Sequence, residues 1–148
     1  MPQSLAAIYI HVVFGTRNRL PFLSDASLRE EMHRYLGGIA KQADCPVLTV
    51  GGTADHVHLL VRFARTATVA DLVKELKRAS TMWIRERIPE FTWQAGYGAF
   101  SVGQREVEVV RDYIRNQEQH HQKRSFQEEY RAMMHEHGVE IDEQYVWD

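Results

Sequence analysis

Residues 46–63 read Pro46-Val47-Leu48-Thr49-Val50-Gly51-Gly52-Thr53-Ala54-Asp55-His56-Val57-His58-Leu59-Leu60-Val61-Arg62-Phe63. Two apolar, β-branched runs, 46–50 and 56–63, flank a short polar connection at 51–55, which is the pattern of a β-hairpin. Successive side chains of a strand alternate faces, so His56 and His58 share one face while Val57, Leu59 and Val61 point to the other. Their Cα atoms then lie roughly 6–7 Å apart at ~3.3 Å rise per residue. If the aliphatic side is core, both imidazoles stand on the open face. There they can converge on one metal ion, at about 2.0–2.1 Å if it is zinc. Two ordinary surface histidines on a half-buried strand satisfy the same tripeptide.

On the N-terminal side, residues 6–14 are dense in β-branched and aromatic side chains and read as a first strand, ended by Arg17, Asn18, Arg19 and Pro21. A helix follows, with Ser24 or Ser27 as its cap, Ser27-Leu28-Arg29-Glu30 as a capping box, and Leu28, Met32, Tyr35, Leu36 and Ile39 at helical spacing. On the C-terminal side, Thr68 opens a second helix whose apolar side is Val69, Leu72, Val73, Leu76, Trp83 and Ile84, with Pro89 beyond its end. Residues 97–102 read as a fourth strand and 104–121 as a third helix, capped by Ser101, with Val107, Val110 and Ile114 as a narrow apolar stripe. Ser125 and Glu128 cap a short final helix that stops at Gly138. The order β-α-β-β-α-β predicts an α+β, ferredoxin-like (split βαβ) antiparallel sheet with two helices on one face and the opposite face open.

The 148 residues are expected to form one domain, a core at 1–103 followed by a third helix and tail at 104–148. There is no internal repeat, low-complexity tract or linker. A hydrophobic share of 44% against 26% charged residues argues against a disordered chain. No apolar run approaches the ~18 residues of a membrane span, so no membrane role is expected. The beginning of the chain lacks a basic segment leading into an apolar one, so no secretory signal is expected. The single cysteine, Cys45, fits a reducing cytoplasm. Lys and Arg number 18 and Asp and Glu 20, a net charge of −2, which disfavours a non-specific nucleic-acid coat but leaves room for local basic patches.

Such patches exist. Arg17 and Arg19 follow the first strand, Lys74, Lys77, Arg78, Arg85 and Arg87 crowd the second helix, and Arg111 and Arg115 flank Tyr113. Phosphate contacts need positive charge of this kind, although a solvated helix face carries it as readily. Trp83, Trp93 and Tyr97 could stack on bases, yet Trp83 lies on the apolar side of its helix. Tyr113 and Gln117, four apart, share one face of the third helix, and His120 continues that stripe. They offer a hydroxyl nucleophile and a neutral oxygen ligand, or simply packing. His120 and His121 could bind metal, act as a base, or sit in solvent.

Together these residues resemble the single-tyrosine HUH transposases of the insertion sequence 200/605 group. The resemblance runs through nearly the whole chain. It takes in the first strand with Arg17 and Arg19, the element Asp55-His56-Val57-His58-Leu59-Leu60, and Lys77 with Ser80. Farther on it includes residues 93–102, from Trp93 to Val102, and Tyr113-Ile114-Arg115-Asn116-Gln117-Glu118-Gln119-His120-His121. It implies an enzyme that cuts and rejoins single-stranded DNA at element ends through a 5′-phosphotyrosine. His56, His58 and Gln117 would hold a divalent metal, magnesium or manganese, with Tyr113 as nucleophile. Beside what the resemblance implies, the residues themselves offer His120 as an auxiliary base, and Arg17, Arg19, Lys74, Lys77, Arg78, Arg111 and Arg115 as the local positive charge that would face DNA. The resemblance further implies hairpin-bearing single-stranded DNA as partner, a homodimer with shared active sites, and a bacterial or archaeal cytoplasm. Two alternatives stand beside it. One is a domesticated relative that binds hairpins without transposing, the other a ferredoxin-like module that binds a metal or small molecule.

Overall fold

The computed structural model describes residues 2–148, so Met1 lies outside the described chain. The elements run β1 (Tyr9–Gly15), α1 (Ala26–Gln42), β2 (Val47–Gly52), β3 (His56–Arg62), α2 (Val69–Ile84), β4 (Gly98–Val102), α3 (Val107–Arg115), α4 (Gln117–His120) and α5 (Phe126–Glu136). The first six follow the order expected from the sequence. The four strands form one sheet in the order β2-β3-β1-β4 with every neighbouring pair antiparallel. Each helical crossover therefore joins two strands that have one other strand between them.

Alternation decides what each face of the sheet buries. Val12 and Phe14 of β1 and Val57, Leu59 and Val61 of β3 meet Met32, Leu36 and Ile39 of α1 and Leu72, Val73 and Leu76 of α2 in the main core. Each such side chain contributes about 1.5–3 kcal/mol when fully buried. α1 is capped by Asp25, whose carboxylate accepts from the backbone N–H groups of Ser27 and Leu28, rather than by either serine. Thr68 caps α2 as expected.

The opposite face is not open. Leu60 packs with Val107 and Ile114 of α3, and Val13 and Phe100 pack with Phe126, Tyr130, Met133 and Met134 of α5. The expectation failed because the apolar stripes of these two C-terminal helices need a surface, and this face supplies it. The helix expected over 104–121 is also divided. A 3-10 turn at Gln104–Glu106 precedes α3, and Asn116, at φ −100° and ψ 22°, separates α3 from α4. Ser101 is a strand residue paired with Ile10, not a cap. The capping box of Ser125 and Glu128 forms at α5, and Gly138, at φ +68°, follows its end.

Two adjacent glycines bring the C-terminal layer close to the sheet. A Cβ on Gly51 would lie 2.3 Å from the carbonyl oxygen of Ile114, so only glycine lets the end of α3 sit on β2. Gly52 adopts φ +153°, and a Cβ there would lie 2.2 Å from the carbonyl oxygen of His56.

Candidate metal and nucleophile site

His56 and His58 lie on the sheet face opposite Val57, Leu59 and Val61, and both are fully buried beneath the C-terminal helices. Phe126 of α5 stacks on His56 with ring centroids 4.3 Å apart. The His56 Nδ1 is 2.8 Å from Asp55 Oδ1. A carboxylate only accepts, so Nδ1 carries the hydrogen, and in the neutral ring that a metal ligand requires Nε2 points inward with its lone pair. At 2.9 Å from Nε2 stands the amide oxygen of Gln117, which is placed by the close seating of α3 on Gly51. The Gln117 amide nitrogen donates to Glu129 Oε2 at 3.1 Å, which fixes the orientation of the amide. Two buried acceptors thus face each other, an arrangement that asks for a cation or an extra proton between them.

His58 is held from both sides. Its Nδ1 is 2.8 Å from Nε2 of His11 on β1, and its Nε2 is 2.9 Å from Glu129 Oε1. Glu129 is itself fully buried, and its Oε1 also lies 3.2 Å from Nε2 of His121 and 3.6 Å from Nε2 of His56. His56, His121 and Glu129 each offer one ligand atom, all within 4.8 Å of one another, a group able to hold a metal ion. The spacing suits a hard divalent ion: two ligands at right angles and ~2.1 Å from one ion are about 3 Å apart.

The half-buried Tyr113 closes the cluster. Its hydroxyl donates to Glu129 Oε2, and Nη2 of Arg124 approaches the same hydroxyl at 3.5 Å. The ring lies edge-on to His58 at 5.9 Å and stacks on His120 at 4.7 Å. Tyr113 thus meets the histidines of its own chain.

Burial shapes the protonation of the cluster. It lowers the His58 pKa to about 4 against the opposing pull of Glu129, and it pushes His11 well below the ordinary imidazole value. Burial, reinforced by the Glu129 carboxylate, raises the Tyr113 phenol to about 12. Burial acts to raise Glu129 too, but hydrogen bonds from His121, His58 and Tyr113 outweigh it and hold the carboxyl far below its usual range. In the ion-free protein His58 is therefore neutral, Glu129 ionised and Tyr113 protonated at neutral pH.

The structure thus gathers Tyr113, His56, His58, Gln117 and His120. It does not gather the basic residues in the same way. Lys74 and Arg78 belong to α2, on the other face of the sheet, and Arg78 pairs with Glu75 at 2.5 Å. Lys77 donates to the carbonyls of Gln94, Ala95 and Gly96 at 2.7–3.0 Å, fastening the loop before β4. Arg111 reaches the carbonyl of Leu48 at 3.2 Å. Arg19 lies over Trp147 at 5.8 Å, while Arg17 and Arg115 are exposed. Trp93 is core, its indole N–H donating to Ser80 Oγ at 2.9 Å.

The cations that do border Tyr113 are Lys123 and Arg124. With Tyr113, Gln119, His120 and Gln122 they line a cleft of about 680 Å³, and Arg124 and Tyr113 also line a second cleft of about 270 Å³ beside His11 and His137. Sequence reasoning missed Arg124, His11 and Glu129. Each lies far along the chain from the histidine pair and carries no motif of its own. The adjacency of His120 and His121 was the one available signal for His121.

No curated protein matches the chain. Among solved structures, it is similar to a protein of Deinococcus radiodurans R1 described as a candidate transposase. That match has a TM-score of 0.64 and 23% identity over 79% of this chain and 95% of that one. It is also similar to a REP-associated tyrosine transposase bound to a REP hairpin, with a TM-score of 0.62 and 14% identity over 82% of this chain and 72% of that one. These likenesses show a shared fold. Residues 4–117, which hold both histidines, Tyr113 and Gln117, match the family model described as "Transposase IS200 like", and the chain belongs to that family of transposases.

Proposed function

We propose that this transposase cleaves and rejoins single-stranded DNA through Tyr113, in a metal-dependent reaction. The observation that carries the reading is the facing acceptor pair, His56 Nε2 and Gln117 Oε1 at 2.9 Å, in the same buried cluster as the Tyr113 hydroxyl. His56, His58 and Gln117 would hold magnesium or manganese, which supplies charge to polarise a phosphoryl oxygen and to stabilise the leaving oxygen. The phenolic oxygen of Tyr113 attacks the scissile phosphorus as the bond to the 3′ oxygen breaks. The phenol loses its proton, and the departing 3′ oxygen takes one up. The product is a 5′-phosphotyrosine, and a second 3′-hydroxyl can reverse the step without ATP because the phosphodiester energy is conserved. Stacking on His120 orients the phenol.

Lys123 and Arg124 in the cleft beside Tyr113 favour backbone phosphates arriving from that side. The hairpin-bound structural neighbour supports DNA hairpins as the recognised form. The reading takes Tyr113 to work with the histidines of its own chain, in place of the shared site that the resemblance implied. The test is incubation with single-stranded hairpin DNA and Mg²⁺ or Mn²⁺, followed by a denaturing gel. A covalent protein–DNA species is expected, lost in Tyr113→Phe and on chelation. Hairpin binding without any adduct would overturn the cleavage reading in favour of a binding-only protein.

A further inference from the structure

We infer that Glu129 of α5 is both a further donor to the ion and the group that tethers the Tyr113 hydroxyl, so that one carboxylate joins the metal and nucleophile halves of the site. This role rests on the metal-dependent reading above and adds a residue to it. Glu129 lies outside residues 4–117, the stretch that matches the family model.

Three observations carry it. The first is charge. A fully buried carboxylate is costly unless a cation balances it. Among the described residues no Lys or Arg nitrogen pairs with Glu129; its ion-pair partners are His56, His58 and His121. Histidines that serve as metal ligands are neutral, so in the working site the balancing charge must be the ion itself.

The second is placement. Glu129 Oε1 stands 2.9, 3.2 and 3.6 Å from the Nε2 atoms of His58, His121 and His56. It therefore faces the point shared by His56 and His121, with which it forms a group able to hold one ion, and it touches His58 besides. Carboxylate oxygen is moreover a preferred ligand for magnesium and manganese. The third is the division of its two oxygens. While Oε1 faces the histidines, Oε2 accepts from the Tyr113 hydroxyl and from the Gln117 amide. Metal and nucleophile are thus addressed by different atoms of one side chain and need not compete for it.

The test is titration of Mn²⁺ into the full chain, with free Mn²⁺ followed by electron paramagnetic resonance and the fold checked by near-ultraviolet circular dichroism. Wild type and Tyr113→Phe are expected to bind the ion. His56→Ala and Glu129→Gln should each bind about ten-fold more weakly or worse, the scale on which groups supporting a metal site act. Equal or tighter binding by Glu129→Gln, with His56→Ala still impaired, overturns the role of Glu129 and leaves the metal-dependent reading standing. Failure of wild type to bind sinks both. Should Glu129→Gln not fold, Mg²⁺ is titrated into ¹³C-glutamate-labelled wild type. The Glu129 carboxyl resonance is expected to shift and saturate at one equivalent, and an unmoved resonance overturns the proposal.

Discussion

His11 on β1 and His58 on β3 are joined through Nε2 and Nδ1 at 2.8 Å, so the inner histidine of the pair is aimed by a neighbour on the adjacent strand. With an ion on Nε2 of His58, its Nδ1 carries the proton and His11 accepts it. Replacing His11 by Phe keeps an aromatic ring beside Phe100 but removes that acceptor. Mn²⁺ affinity, measured by calorimetric titration, should fall by about 10–100-fold. The ion-free protein should lose only about 1–2 kcal/mol in urea unfolding.

Gly51→Ala tests how the layer that carries Tyr113 and Gln117 is seated. The added methyl would meet the carbonyl oxygen of Ile114 at 2.3 Å, a backbone atom with little freedom to move. The end of α3 must lift from β2, carrying Gln117 away from His56. Destabilisation of about 1–3 kcal/mol is expected. Adduct formation with hairpin DNA should fall even at a temperature where both proteins are fully folded.

Mixing inactive variants tests which chain completes the site. Tyr113 hydrogen-bonds to Glu129 of its own chain, within the cluster that holds its own His56 and His58. Tyr113→Phe and His56→Ala proteins, exchanged and assayed together, should therefore show no recovered cleavage. Recovery to an appreciable fraction of wild type would mean that the tyrosine crosses between subunits during reaction.

Acid stability has a separate handle in His33 on α1. Burial first, then the charge of Arg29, lowers its pKa from 6.5 to about 4, and its Nε2 is buried without a hydrogen-bond partner. The unfolded chain takes up this proton near pH 6.5 and the folded chain only near 4. The unfolded state therefore binds more protons across that window, and stability falls as pH drops through it. Up to about 3 kcal/mol is at stake for this group. His33→Leu should flatten the wild-type loss of stability between pH 6.5 and 4 by a measurable part of that amount, read by urea unfolding at each pH.

The element order through β4 was legible because each segment carries a local signal: alternation in residues 56–61, the i, i+4 spacing of Met32 and Leu36, Thr68 as a cap. The histidine pair and the Tyr113–Gln117 spacing were legible for the same reason. What escaped the sequence was long-range. Nothing near Asn116 announces the break between α3 and α4, since Asn116 is acceptable inside a helix and outside one. Glu128 is announced by its capping spacing from Ser125, but nothing near Glu129 marks that residue as buried. Lys77 reads as a cation on a polar face, and only the fold shows three carbonyls converging on its ammonium. The burial of His56 and His58 followed from where α5 docks, which is set by contacts between distant parts of the chain.

The docking of α5 has a thermodynamic corollary. Phe126, Tyr130, Met133 and Met134 are the greasy underside of the helix that delivers Glu129. If ion and helix favour each other's presence, the linkage runs both ways by necessity. Anything that loosens those four contacts weakens the grip on the cation. Every cation captured in turn presses the C-terminal segment more firmly onto the sheet.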